Sequence, residues 1–204
     1  MKNNIAVLVS GGGTNLQALL DAEKSGIIKS GHITLVVSSK PGVYALTRAE
    51  NAGIKSEILE RKAYDSITEY SVAMRDLLLL NNIDIVVLAG FMTILDESFC
   101  EAFAERIINV HPALLSKNPE FGGKSFYGIK VHEAVLQSGV KTTGATVHIV
   151  TPECDRGPIL LEKEVDVLEG DTPEILQKRV MEQAEWIILP QAVEILIKDS
   201  KNEN

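Results

Sequence analysis

The sequence predicts an α/β fold with a doubly wound, mostly parallel sheet and an antiparallel strand pair in its C-terminal half. Short apolar runs bounded by turn residues alternate with longer amphipathic stretches, as in parallel strands joined by crossover helices. The run 85–89, IVVLA, is apolar at consecutive positions, so helices should cover both faces of its sheet. After residue 111 the alternation stops, and two strand-like runs follow one another with a short loop between them. We therefore expect a Rossmann-like architecture with a modified C-terminal half.

The first half alternates between predicted strands and predicted helices. Ser66 and Glu69 are spaced as a capping box, which marks the start of the third helix. The predicted strands are residues 5–9, 33–37, 56–59, 84–88 and 106–110, and the predicted helices are residues 15–25, 42–52, 66–81 and 96–103.

The second half begins with a polar, glycine-rich loop and ends with a helix. Thr172 can cap that last helix and Pro173 suits its first turn, whereas Pro190 should kink or break it. Residues 200–204 are predicted to form a frayed end. The other predicted elements are the loop 116–128, a helix near 131–138, and strands near 143–150 and 158–166.

Length and composition favour one folded domain over residues 1–204. The chain has 204 residues, of which 45% are hydrophobic and 24% charged, as in ordinary globular proteins. Its 20 basic and 28 acidic side chains give a net charge of −8, which argues against a surface for nucleic acid or anionic lipid. No apolar run reaches the length of a membrane span, and the 4 histidines and 2 cysteines have no zinc spacing. We expect small-molecule partners, no metal, no nucleic acid, no membrane, and a reducing, cytoplasmic location.

A glycine-rich turn follows the first predicted strand. Its sequence at 10–15, SGGGTN, leaves backbone N–H groups free at the start of a helix, which favours an anion such as a phosphate. The pattern is neither a Walker loop nor a dinucleotide fingerprint, because no Gly-Lys-Ser/Thr follows and Leu16 occupies the third glycine position. The alternative is a tight strand-to-helix turn capped by Thr14.

Asn109 and His111 lie at the carboxyl end of the fifth predicted strand, where open α/β sheets bind their ligands. Side chains two residues apart on a strand share a face, so both can reach one pocket. An amide beside an imidazole can stabilise an oxyanion and move protons. Asp155 lies in the loop of the antiparallel pair, and contact with His111 would raise the imidazole pKa. The alternative for all three residues is local hydrogen bonding to the backbone.

Four segments carry a resemblance to a known family. Residues 109–115, NVHPALL, resemble the N-x-H-P-S-L-L signature of the folate-dependent formyltransferases. Residues 144–148, GATVH, lead to DRGPI at 155–159, and together they are similar to the second signature of that family. The start SGGGTNLQ at 10–17 and LAGFM at 88–92 are similar to the members that formylate phosphoribosylglycinamide in purine biosynthesis.

The resemblance covers residues 4–196 and implies a direct formyl transfer. The amine of 5'-phosphoribosylglycinamide would attack the formyl carbon of 10-formyltetrahydrofolate, which serves as the co-substrate, and no metal is implied. Asn109 and a protonated His111 would hold the oxyanion, and Asp155 would keep His111 charged. The domain would divide into a nucleotide-phosphate half, about 1–105, and a folate and catalytic half, about 106–198.

The resemblance also implies the binding residues. The substrate phosphate would lie on Gly13, Thr14 and Asn15, and Glu185 would bind the ribose hydroxyls. Ser116 departs from the family, because many members have proline there. The residues implied for the folate are Met92, Thr93, Ile94, Leu95, Asn109, Thr151, Pro152, Glu153, Cys154 and Asp155.

Other functions remain open from the sequence. Members that formylate methionyl-tRNA normally carry a further C-terminal domain and need a basic surface, and members that hydrolyse formyltetrahydrofolate carry a further N-terminal domain. Neither fits 204 residues with a net charge of −8. A non-catalytic nucleotide-binding module would leave Asn109, His111 and Asp155 unused, and a nicotinamide-dependent oxidoreductase lacks its third glycine. The sequence allows either a monomer or a homodimer.

Overall fold

Seven strands form one sheet in the computed structural model, which describes residues 2–202. The strands are β1 (Asn3–Val9), β2 (Gly31–Ser38), β3 (Lys55–Ile58), β4 (Ile85–Leu88), β5 (Ile107–His111), β6 (Thr142–Ile149) and β7 (Ile159–Asp166). Their order across the sheet is β3-β2-β1-β4-β5-β6-β7.

Seven helices cover the sheet. They are α1 (Thr14–Ser25), α2 (Tyr44–Asn51), α3 (Ile67–Leu80), α4 (Glu97–Ala102), α5 (Ile129–Ser138), α6 (Pro173–Val180) and α7 (Trp186–Asn202). Within residues 2–202, none of the helices has both the length and the apolar character needed to cross a membrane.

The strand directions confirm the predicted fold class. β1 runs parallel to β2 and β4, and the parallel part of the sheet extends to β3 on one side and β5 on the other. β6 is antiparallel to both β5 and β7. From β1 the chain turns to β2 on one side, and from β4 it turns to β5 on the other, so a crevice opens at the carboxyl ends of β1 and β4, between the two connections.

Two apolar layers pack on opposite faces of the sheet. Val7 of β1 belongs to the layer beneath α1, α2 and α5–α7, whereas its neighbour Leu8 belongs to the layer beneath α3 and α4. Both side chains are fully buried. Burying one such side chain contributes about 1.5–3 kcal/mol, so alternate residues of one strand hold helices on both faces. This accounts for the consecutive apolar residues in the predicted strands.

Two predicted helix starts are confirmed. The Ser66 hydroxyl accepts a hydrogen bond from the Glu69 N–H at 3.1 Å, and the Glu69 carboxylate accepts one from the N–H of Asp65 at 3.2 Å. The capping box therefore reaches one residue further back than its standard form. Thr172 caps α6 by accepting a hydrogen bond from the Ile175 N–H at 3.3 Å.

The predicted break at Pro190 is wrong. Pro190 lies inside α7, and the departure from α-helical hydrogen bonding is a π-helical turn at 181–185, between α6 and α7. Proline removes only the bond to the carbonyl four residues earlier, that of Trp186, which is the first residue of α7. The helix continues to Asn202, so the predicted frayed end is helical that far, and residues 203–204 lie outside the described part of the chain.

Candidate active site

A cavity of about 690 Å³ opens at the carboxyl ends of β1, β4 and β5. This is the crevice that the strand order creates, and the glycine loop, the Asn109–His111 segment and Asp155 all line it. The other walls come from residues 88–95, 123–124, 126–128, 150–152 and the π-helical turn.

Asn109, His111 and Asp155 meet in this cavity. The strand spacing predicts this for Asn109 and His111, whereas for Asp155 only the family resemblance implies it. The Asn109 amide donates to Asp155 Oδ1 at 3.4 Å, and His111 Nδ1 lies 3.6 Å from Asp155 Oδ2. Val110, between them, packs into the core on the opposite face of β5. The second distance is too long for a hydrogen bond, so the Asp155 carboxylate acts on His111 through its charge.

Asp155 lies in the β6–β7 loop with a left-handed φ of 56°, a conformation that Asp adopts more readily than most residues. Its Oδ2 accepts a hydrogen bond from the Gly123 N–H at 2.9 Å, and its Oδ1 lies 3.3 Å from His148 Nε2. Burial raises the pKa of the Asp155 carboxyl, but His148, the charge of His111 and the Gly123 N–H outweigh burial. The pKa therefore lies well below its usual range, and the carboxylate stays ionised.

The His111 imidazole is almost completely buried, and its Nε2 donates a hydrogen bond to the Phe121 carbonyl at 2.8 Å. Burial lowers the pKa of His111, and this outweighs the raising effects of the Asp155 carboxylate and the Phe121 carbonyl. Burial disfavours the imidazolium because it removes hydration from the charge. The Asp155 carboxylate, 3.6 Å away, acts on the pKa of His111 in the predicted direction, and the expectation that it keeps His111 protonated stays a prediction.

The glycine loop begins α1 without a side-chain cap. Gly13 is the N-cap residue, with a left-handed φ of 72°. A Cβ on Gly13 would lie 2.7 Å from the Cβ of Ala45, so the close approach of α2 also requires glycine here. The alternative role of Thr14 as the cap is wrong, because Thr14 is the first helical residue and its hydroxyl points to the sulfur of Met181 at 3.8 Å.

Glu185 reaches the glycine loop from the far end of the chain. Its carboxylate accepts a hydrogen bond from the Asn15 amide at 2.7 Å, and both residues are buried. Glu185 is the last residue of the π-helical turn, a deviation that often occurs at functional sites. Burial raises the pKa of Glu185 to about 7, although the Asn15 hydrogen bond acts in the opposite direction.

Replacing Glu185 with Gln should stabilise the protein at alkaline pH. The native pKa of about 7 exceeds the usual 4.5, so the folded state binds the extra proton and loses stability as pH rises from 4.5 to 7. The amide does not titrate, so Glu185→Gln should raise the free energy of unfolding by about 3 kcal/mol at pH 8 and change it little at pH 4.5. Urea unfolding at both pH values measures this.

Glu182→Gln is the matched control, because Glu182 lies in the same turn with a half-exposed side chain. Equal pH dependence of unfolding in wild type and Glu185→Gln would contradict the assignment of a raised pKa to Glu185.

The sequence pattern of the family described as Formyl transferase matches residues 3–193 of this chain. The chain belongs to the formyl transferase family. The match includes every residue of the cavity, and it confirms the family resemblance seen in the signature segments.

Relatives and solved structures agree with this formyl transferase assignment. The chain is 40% identical over 180 residues to phosphoribosylglycinamide formyltransferase of Escherichia coli (strain K12), covering 88% of this chain and 81% of that protein. It is 41% identical over 195 residues to the trifunctional purine biosynthetic protein adenosine-3 of Gallus gallus, covering 96% of this chain but only 18% of that longer protein. Glycinamide ribonucleotide transformylase 1 from Symbiobacterium toebii superposes with a TM-score of 0.89 at 39% identity, covering 97% of this chain and 89% of that one.

Nearly all of the residues implied for the folate line the cavity of this formyl transferase. The exception is Glu153, whose side chain is exposed at the tip of the β6–β7 loop and does not reach the cavity. Its carbonyl instead accepts a hydrogen bond from the Thr151 hydroxyl, which closes the turn. The residues that do line it are Met92, Thr93, Ile94, Leu95, Asn109, Thr151, Pro152, Cys154 and Asp155.

Several contributors to this formyl transferase site have no strong signal in the sequence. His148 lies between Asp155 and Asn109, whose amide nitrogen is 3.3 Å from its Nε2. Phe121 and Gly123 act through backbone atoms, which no side-chain pattern reveals. Within residues 2–202, no three His, Cys, Asp or Glu side chains are grouped so as to hold a metal ion.

Proposed function

We propose that this chain transfers the formyl group of 10-formyltetrahydrofolate to the amine of 5'-phosphoribosylglycinamide in purine biosynthesis. The observation that carries the proposal is that Asn109, His111 and Asp155 share one cavity with the glycine loop and Glu185. One site thus has catalytic groups and a phosphate-binding end. Relatives that are named for that activity support the choice of acceptor.

We propose that the two substrates lie end to end in the cavity, because its two ends differ in chemistry. One end has the backbone of the glycine loop with Asn15 and Glu185, which suits a phosphate and sugar hydroxyls. The other end has Met92, Ile94 and Leu95, which suit an apolar ring system. We propose residues 1–204 as one domain in which about 1–105 supply the phosphate end and about 106–198 the catalytic groups. Met92–Leu95 of the first half contribute to the folate end.

10-Formyltetrahydrofolate supplies the carbonyl carbon to which the acceptor amine adds. Asn109 Nδ2 and His111 Nε2 donate hydrogen bonds to the formyl oxygen as it gains negative charge. In this structure His111 Nε2 donates to the Phe121 carbonyl, so the formyl oxygen takes the place of that carbonyl. A developing oxyanion is the stronger acceptor, because hydrogen bonds to charged oxygens are roughly twice as strong as neutral ones.

Formyl transfer also moves one proton between the two substrates, and His111 and Asp155 take part in this step. The bond from the amine nitrogen to the formyl carbon forms, the bond to the donor nitrogen breaks, and one proton moves from the first nitrogen to the second. His111 Nδ1 and the Asp155 carboxylate, 3.6 Å apart, relay that proton. The ionised Asp155 carboxylate then stabilises the imidazolium until the proton is passed on.

The test is an assay of formyl transfer by the wild-type protein with each of three acceptors. We expect rapid transfer to 5'-phosphoribosylglycinamide, none to methionyl-tRNA, and little release of formate when no acceptor is present. Formate release at the same rate without an acceptor would favour a hydrolase and overturn the proposal. Absence of transfer to 5'-phosphoribosylglycinamide would also overturn it.

A further inference from the structure

Helix α2 lies directly behind the glycine loop and bonds to its carbonyl groups. The N–H of Ala45 donates to the carbonyl of Gly11 at 3.2 Å. Arg48, one turn further along α2, donates from Nε to the carbonyl of Gly12 at 2.9 Å. Two successive carbonyls of the loop are therefore held against α2 and away from the cavity.

The direction of these two carbonyls fixes the direction of the N–H groups that follow them. In a trans peptide the carbonyl of one residue and the N–H of the next point in opposite directions. The carbonyls of Gly11 and Gly12 point to α2, so the N–H groups of Gly12 and Gly13 point to the side that lines the cavity. A glycine–glycine peptide can rotate easily, so this orientation needs a partner to hold it.

Arg48 also has a charge that no carboxylate neutralises. Arg75 pairs with Asp76 and Arg179 pairs with Asp171, but within the described part of the chain Arg48 forms no ion pair. Its Nη1 donates to Gln17 at 2.9 Å, and its guanidinium lies over the ring of Tyr44, 4.9 Å from the centroid. A protein with a net charge of −8 thus keeps an uncompensated cation behind its glycine loop.

We propose that Arg48 is a positioning residue for the phosphate of the acceptor. Its guanidinium fixes the peptide between Gly12 and Gly13 so that the N–H of Gly13 faces the phosphate, and its positive charge lies behind that N–H. Arg48 does not line the cavity, so it acts through the loop and not by touching the ligand. The inference rests on the proposed function for the identity of the phosphorylated acceptor.

The activity test compares Arg48→Met, Arg48→Lys and the control Arg75→Met. Arg48→Met should raise the KM for 5'-phosphoribosylglycinamide by about tenfold to a hundredfold and leave the KM for 10-formyltetrahydrofolate within about twofold, because a charge-assisted hydrogen bond and a charge are lost. Arg48→Lys keeps the charge and should fall between wild type and Arg48→Met. With the dephosphorylated acceptor, wild type and Arg48→Met should be equally poor. An equal loss on both acceptors would mean a general structural role and would overturn the inference.

A second measurement does not depend on formyl transfer. Inorganic phosphate is titrated into the wild-type protein and Arg48→Met while the amide resonances of Gly12 and Gly13 are followed. In wild type these resonances should shift on saturation, and in Arg48→Met saturation should need at least tenfold more phosphate. Unmoved resonances in wild type, or equal affinity in both proteins, would overturn the inference whatever the activity. Phosphate binding that depends on Arg48 in a protein without formyl transfer would sustain the inference and reject the proposed function.

Discussion

Replacing Asp155 with Asn should lower kcat by about a thousandfold or more and move the pH–rate profile to lower pH. The comparable carboxylate-to-amide change in Ser-His-Asp enzymes costs about ten-thousandfold with the geometry intact. Asn also tolerates the left-handed backbone at φ 56°, and its side-chain oxygen can still accept the Gly123 N–H, so the loop should keep its shape. The loss of kcat then measures the contribution of the negative charge of Asp155.

The direction of the pH shift follows from the environment of His111. The Asp155 carboxylate raises the pKa of His111 against the lowering effect of burial. Its removal lets that pKa fall further, so the limb of the profile that reports His111 moves to lower pH. Values of kcat/KM measured between pH 5 and 9 give the shift, with Asp76→Asn on the surface of α3 as the control. A profile that stays in place while kcat falls would mean that Asp155 acts other than through the charge of His111.

Replacing Asn109 with Ala should lower kcat by roughly a hundredfold to a thousandfold. Removal of one oxyanion donor typically costs about 3–4 kcal/mol, and the interaction is made mainly in the transition state. KM for both substrates should therefore change little. The fold should persist, because the Asn109 side chain bonds only to groups of the site, His148 and Asp155.

Steady-state kinetics with each substrate varied in turn measure this effect, and Asn51→Ala at the exposed end of α2 is the matched control. A loss of less than tenfold, or a loss confined to KM, would show that Asn109 binds substrate without stabilising developing charge.

Local patterns were sufficient to predict the strands and helices. Each predicted strand overlaps an observed one, because consecutive apolar residues between turn signals are a direct consequence of burial on both faces. The spacing of Asn109 and His111 likewise predicted that both would face one cavity, since the period of a strand is two residues. These features depend on residues that are close together in the chain, so the sequence alone is sufficient to predict them.

Features that depend on distant contacts were not predictable in the same way. Asp155 meets His111 only because the register of β6 against β5 and the length of the loop bring it there. The lowered pKa of His111 depends on how completely the loop 116–128 covers it, and composition does not report that coverage. The π-helical turn results from one extra residue per turn and has no sequence signature, so Pro190 was the more visible but wrong signal.

The hydrogen bond between Asn15 and Glu185 has a consequence for the order in which the protein is made on the ribosome. These two residues are separated by 170 positions, and β1 also lacks its second neighbour until residues 85–88 of β4 have emerged. The glycine loop is therefore translated early, but its environment is completed only after the π-helical turn has left the ribosome. Strand β5, which carries Asn109 and His111, and its partner β6 are separated by far fewer residues and are available sooner. The glycine-loop end of the cavity is encoded first and completed last.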